Sequence, residues 1–79
     1  MMSNEKHVEL NKLTVHFSKM HRTASNADLT QLQQTIEDQV EYMADKVMIS
    51  YHEKHALLMR LDAEVEKRRQ ELAPVRVSA

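Results

Sequence analysis

The sequence predicts an all-α protein, and three observations carry that reading. The 79 residues contain no glycine and one proline, Pro74, so the tight turns of hairpin-rich β folds and phosphate-cradling loops lack their usual residue. Apolar residues recur at spacings of three and four along most of the chain, which marks one face of a helix. Small polar residues cluster inside the chain at one place only, Arg22-Thr-Ala-Ser-Asn-Ala27, so one junction is expected between two helical stretches.

The first stretch runs from about 4 to 21. Leu10, Leu13, Phe17 and Met20 form its stripe, widened by Val8 and Val15. It reads as one helix, or as two with a bend near Asn11. The junction covers 22–27, where Ser25 followed by Asp28 fits a capping box and Asn26 is an alternative cap. The second stretch runs from about 27 to 73. Leu29, Leu32, Ile36, Val40, Met43, Val47 and Tyr51 step by three or four, and the stripe resumes at Leu58, Leu61, Val65 and Leu72. Leu29/Val40/Tyr51 and Ile36/Val47/Leu58 repeat at eleven residues, which favours a nearly straight helix. Pro74 stops it, and 74–79 reads as a disordered tail.

Between Met43 and Leu61 the apolar surface broadens through Ala44, Met48, Ile49, Ala56, Leu57 and Met59. Such widening means contact with more than one neighbour, or a bend. The expected architecture is therefore a short helix followed by a long one, in a dimeric, coiled-coil-like bundle. The alternative is a three-helix bundle with a break near Ser50, within the polar run Ser50-Tyr-His-Glu-Lys-His55.

The dimer follows from an area argument. A helix over 27–73 would be about 70 Å long, and the first helix would cover only about 27 Å of it. An exposed stripe of that length is an interface or an aggregation hazard, and a second copy covers it by symmetry. The interface is expected at Leu10, Leu13, Phe17, Met20, Leu29, Leu32, Ile36, Val40, Met43, Val47, Tyr51, Leu58, Leu61 and Val65.

Catalysis finds no support in the residues. Ser18, Ser25 and Ser50 lack a glycine-rich elbow, and Glu37 with Asp38 lies on a polar helix face with no pocket implied. The chain has no cysteine, which excludes disulfide and thiolate chemistry. His52 and His55 share a helix face, but position 56 is Ala, so the metalloprotease His-Glu-x-x-His spacing is absent and no third ligand is evident. No metal and no cofactor are expected. Net charge is 11 − 12 = −1, and the helix after the junction is acidic, so direct nucleic-acid binding is not expected. The three cations Lys67, Arg68 and Arg69 could touch phosphates only weakly. Arg60 with Glu64, Glu64 with Arg68, and Lys67 with Glu71 read as four-residue helix pairs. No apolar run is long enough to span a membrane and no signal-peptide core opens the chain, so a cytoplasmic location is expected.

The order of elements, from Glu9-Leu-Asn-Lys-Leu13 through Ala24-Ser-Asn-Ala-Asp-Leu-Thr-Gln-Leu-Gln-Gln-Thr-Ile36, resembles the N-terminal oligomerisation domain of the histone-like nucleoid-structuring (H-NS) family. The capped start followed by Leu29, Leu32 and Ile36 looks like that family's Thr-Leu-x-x-Leu-x-x-x-Leu helix start. The resemblance spans about residues 8 to 48, and the family's C-terminal DNA-binding module has no counterpart here. It implies a homodimeric helical module that pairs with nucleoid-associated transcriptional regulators without reading DNA itself. Two other readings rest on the residues alone. One is a small chaperone or adaptor, for a secretion or phage-assembly client, that holds a helix around Met43 to Leu61. The other is an acidic inhibitor that imitates nucleic acid through Glu37, Asp38, Glu41 and Asp45.

Overall fold

The computed structural model describes residues 2–73, which form three helices: α1 (Met2–Met20), α2 (Asn26–Asp45) and α3 (Tyr51–Leu72). No strand occurs among the described residues. The tail expected at 74–79 lies outside them. α1 is one helix without a break at Asn11. The continuous helix expected over 27–73 is corrected: the chain turns at 46–50, and the three-helix alternative holds.

Local chemistry explains each end. After Met20 the chain tightens, with the Arg22 N–H donating to the Lys19 carbonyl at 2.9 Å. Thr23 is then tucked inward and its hydroxyl donates to the Met20 carbonyl at 2.9 Å, satisfying a helix-end acceptor that lacks an intrahelical partner. Ser25 caps α2, its hydroxyl accepting from the Asp28 N–H at 3.2 Å. Asn26 lies inside the helix rather than capping it.

α2 ends in a Schellman arrangement. The Met48 N–H donates to the Met43 carbonyl at 2.9 Å, and the Val47 N–H to the Ala44 carbonyl at 3.0 Å. That geometry needs a left-handed residue, normally glycine. With none in the chain, Val47 takes the position at φ 58°. Ser50 then opens α3 with a complete capping box: its hydroxyl accepts from the Glu53 N–H at 3.1 Å, and its own N–H donates to Glu53 Oε1 at 2.9 Å. α3 stops at Leu72, and Ala73 is extended (φ −64°, ψ 141°), as a residue preceding proline favours.

The helices run up, down and up. Lys6 on α1 meets Glu53 on α3 at 3.6 Å near one end, and His21 meets Glu64 at 3.7 Å near the other. Leu13, Phe17 and Met20 of α1, Leu29, Ile36, Val40 and Met43 of α2, Ile49 of the turn, and Leu61 and Val65 of α3 form one buried cluster. Fully burying a side chain of this size contributes about 1.5–3 kcal/mol. Folding α3 back adds Ile49, Leu61 and Val65 to that core, which outweighs the local cost of Val47 and makes the turn favourable. Most of the surface that a continuous helix would leave in water is thereby covered within one chain, Val47 and Tyr51 excepted.

Candidate interaction surface

The fourteen side chains expected at an interface divide into three groups. Leu13, Phe17, Met20, Leu29, Ile36, Val40, Met43, Leu61 and Val65 are buried in the core of the single chain. Leu10, Leu32 and Leu58 are partly buried against it. Val47 and Tyr51 are each 82% exposed. The stripe is therefore mostly internal. Between Met43 and Leu61, where the sequence suggests a client groove, Met43, Ile49 and Leu61 are buried, while Val47, Tyr51 and Met59 stay exposed beside a shallow groove lined by Glu41, Tyr51, Lys54, His55 and Leu58.

The apolar surface that remains outside lies partly where the stripe did not point. Val8 and Val15, each 51% exposed, are one heptad apart on α1. Val8 joins two shallow grooves. One, of about 290 Å³, is lined by Glu5, Val8, Glu9, Tyr42 and Met48. The other, of about 360 Å³, is lined by Val8, Asn11, Lys12, Val15 and His16. His16 also borders a third groove, running between α1 and α2 past Lys19, Asp28, Gln31, Leu32 and Thr35. Adjoining through Val8 and His16, the three grooves make a shallow channel, apolar on α1 around Val8 and Val15 and polar between α1 and α2 toward Asp28.

Electrostatics shape that channel. Desolvation, followed by the Lys19 and Lys12 ammonium groups, lowers the His16 pKa below its ordinary 6.5, so the imidazole is neutral at pH 7 and leaves the channel less polar. Lys12 pairs with Glu9 at 3.3 Å along the rim. His16 Nδ1 and Gln39 Nε2 are buried without a hydrogen-bond partner, leaving polar capacity unmet beside α1 and α2.

Some of the remaining charged groups connect the helices and others pair within one. Glu41 pairs with Lys54 at 3.1 Å, and Asp38 accepts from Gln34 at 3.0 Å, so part of the acidic band is engaged within the chain. The four-residue pairs expected on α3 are not among the described ion pairs. Instead Arg60 lies over the Phe17 ring at 4.2 Å, Glu64 meets His21 and Arg68 meets Glu71 at 3.1 Å.

Arg68 is the residue most changed by the fold. Read from the sequence it is one of three adjacent cations. In the structure its Nε donates to the Thr23 hydroxyl at 3.3 Å, and its Nη2 to the Thr23 carbonyl. A guanidinium fork from α3 thus clamps the turn after α1, beside the negative end of that helix. The periodicity of α3 carries no signal for this contact, because the partner is 45 residues away.

His52 and His55 are exposed in the first turns of α3, and no group of three or more potential metal ligands occurs among the described residues. Ser25 and Ser50 serve as helix caps. No helix among the described residues is long and apolar enough to cross a membrane. The chain matches no protein-family model, no curated protein and no solved structure.

Proposed function

We propose that this chain is a non-enzymatic protein-interaction module whose α1–α2 channel receives an amphipathic helix from a nucleoid-associated transcriptional regulator. One observation carries the reading: Val8 and Val15, half exposed and a heptad apart, line adjoining grooves with Tyr42 and Met48 at one end. A heptad-spaced pair beside a groove suits a helix laid along it. The resemblance to the nucleoid-structuring oligomerisation domain supports the choice of partner. It spans residues 8 to 48, the stretch that forms α1, the turn and α2.

The test is titration of the labelled chain with the N-terminal oligomerisation domain of a nucleoid-structuring protein, read by fluorescence anisotropy. The Val8→Asp/Val15→Asp double variant should keep its helical circular dichroism, since both sites face water, and lose at least about tenfold in affinity through desolvated charge in the channel. No binding by the parent chain would remove the partner. Unchanged binding by the double variant would remove the channel.

A further inference from the structure

We infer that this chain forms a dimer by exchanging α3, with the 46–50 turn as the hinge. In the exchanged form the turn becomes helical and α2 and α3 fuse into one rod from Asn26 to Leu72. The α3 half of each rod then packs on α1 and α2 of the second copy. The inference goes beyond the binding proposal and does not depend on it.

Three observations converge on the hinge. Val47 holds a left-handed conformation at φ 58°, which a β-branched residue adopts only against steric resistance. Its side chain is 82% exposed, so no packing at that site offsets the strain. No glycine or proline occurs between Asn26 and Ala73, so every hinge residue can enter a helix.

The identity of the exposed side chains points to a second copy as the occupant. Val47 and Tyr51 are the most exposed large apolar residues described, and in the fused rod they are four residues apart on one face. They lie beside the rod's midpoint, where two rods related by a two-fold axis cross. The closed monomer leaves both in water, and the crossing covers both. The other contacts of α3 are conserved, because Arg68 still reaches a Thr23 and Glu64 still reaches a His21, now across chains. Exchange therefore changes the hinge and little else, the condition under which swapping costs least. Opening gives up the Ser50–Glu53 capping box and the burial of Ile49, so the closed monomer prevails in dilute solution and the dimer at high concentration.

The experiment folds the full chain from denaturant at about 10 μM and about 1 mM, which brackets weak association, and measures mass by light scattering. The expected result is the 9.3 kDa chain at the lower concentration and a species of twice that mass at the higher. A chain carrying His21→Cys and Glu64→Cys separates exchange from side-by-side pairing. Treatment of its dimer fraction with a short bismaleimide crosslinker should give covalent dimers on a denaturing gel.

Substitutions at Val47 then test the strain. Val47→Asn tolerates the left-handed region and matches valine in helix preference, so it should lower the dimer association constant on the order of a hundredfold through two relaxed hinges. Val47→Ala keeps the strain and favours helix, so it should hold or raise that constant. A monomer at both concentrations, crosslinks confined within single chains, or equal loss in Val47→Asn and Val47→Ala would each overturn the inference.

Discussion

Replacing Arg68 with Met should cost far more than the loss of a surface cation. The side chain is 21% exposed, and its guanidinium supplies the contacts that tie α3 to the turn after α1. A hydrogen bond from a charged donor contributes about 1.5–3 kcal/mol. The bond to the Thr23 carbonyl falls in that range, whereas the 3.3 Å bond to the hydroxyl is longer and weaker. The charge beside the C-terminal end of α1 adds about 0.3–1 kcal/mol, and the Glu71 pair, half in water, adds about 0.3 kcal/mol. Methionine keeps most of the apolar stem, so the predicted loss is about 2–4 kcal/mol. Urea unfolding followed by circular dichroism measures it directly. At an m-value of about 1–3 kcal/mol per molar the midpoint should fall by at least roughly 0.7 M with an unchanged slope. Arg68→Lys, which offers a point charge instead of a fork, should lose about half as much. A midpoint for Arg68→Met within about 0.3 M of the parent, at equal slope, would show that the clamp has no energetic weight.

Three further outcomes follow from burial, backbone geometry and titration. Ile36 is fully buried and Val47 is 82% exposed, so Ile36→Asp should abolish cooperative helical unfolding, while Val47→Asp, which tolerates the left-handed region, should leave the monomer at least as stable as the parent; circular dichroism distinguishes the two. Val47→Gly should raise monomer stability by about 0.5–1 kcal/mol, because relief of about 1–2 kcal/mol of left-handed strain exceeds the entropy that glycine adds to the unfolded chain; a lower urea midpoint would contradict it. Stability should also fall with pH in two stages. The folded-state pKa of His16 lies below its ordinary 6.5, so the unfolded chain takes up the proton first and stability drops as pH falls below about 6.5. Glu53 is held below its ordinary 4.5, chiefly by the Ser50 N–H and further by Lys6, so its contribution, complete above that value, is lost as pH falls through the folded-state pKa. His16→Gln should flatten the first stage and Glu53→Gln the second in midpoint-against-pH curves.

Much of the fold was legible because it is written in local pattern. Leu13, Phe17 and Met20 on α1, and Leu29, Ile36, Val40 and Met43 on α2, are buried where the three- and four-residue spacing placed an apolar stripe. Ser25 caps α2 as its spacing from Asp28 suggested. The second break also carried a local signal: Ser50-Tyr-His-Glu53 has the spacing of a capping box, although it read more readily as a polar interruption. Val47 carried none, since a valine at a stripe position argues for continuing a helix. The interaction surface was legible in part. Val8 and Val15 stood out as a widening of the first stripe, but only the packed bundle separates them from Leu10 and Leu13, which turn inward. Tyr42 and Met48 join them through the approach of α1 to the end of α2.

By itself the sequence determined the helical class, the first junction and the identity of the side chains that must leave water, because these depend on backbone preference and periodicity within a few residues. The tertiary structure decided where those side chains find cover. A stripe has the same spacing whether it faces another chain or folds back upon its own. The choice rests on the free energy gained when Ile49, Leu61 and Val65 join the core and Arg68 reaches Thr23. Those gains depend on contacts remote along the chain, and they are large enough to hold Val47 in a conformation that its own chemistry disfavours.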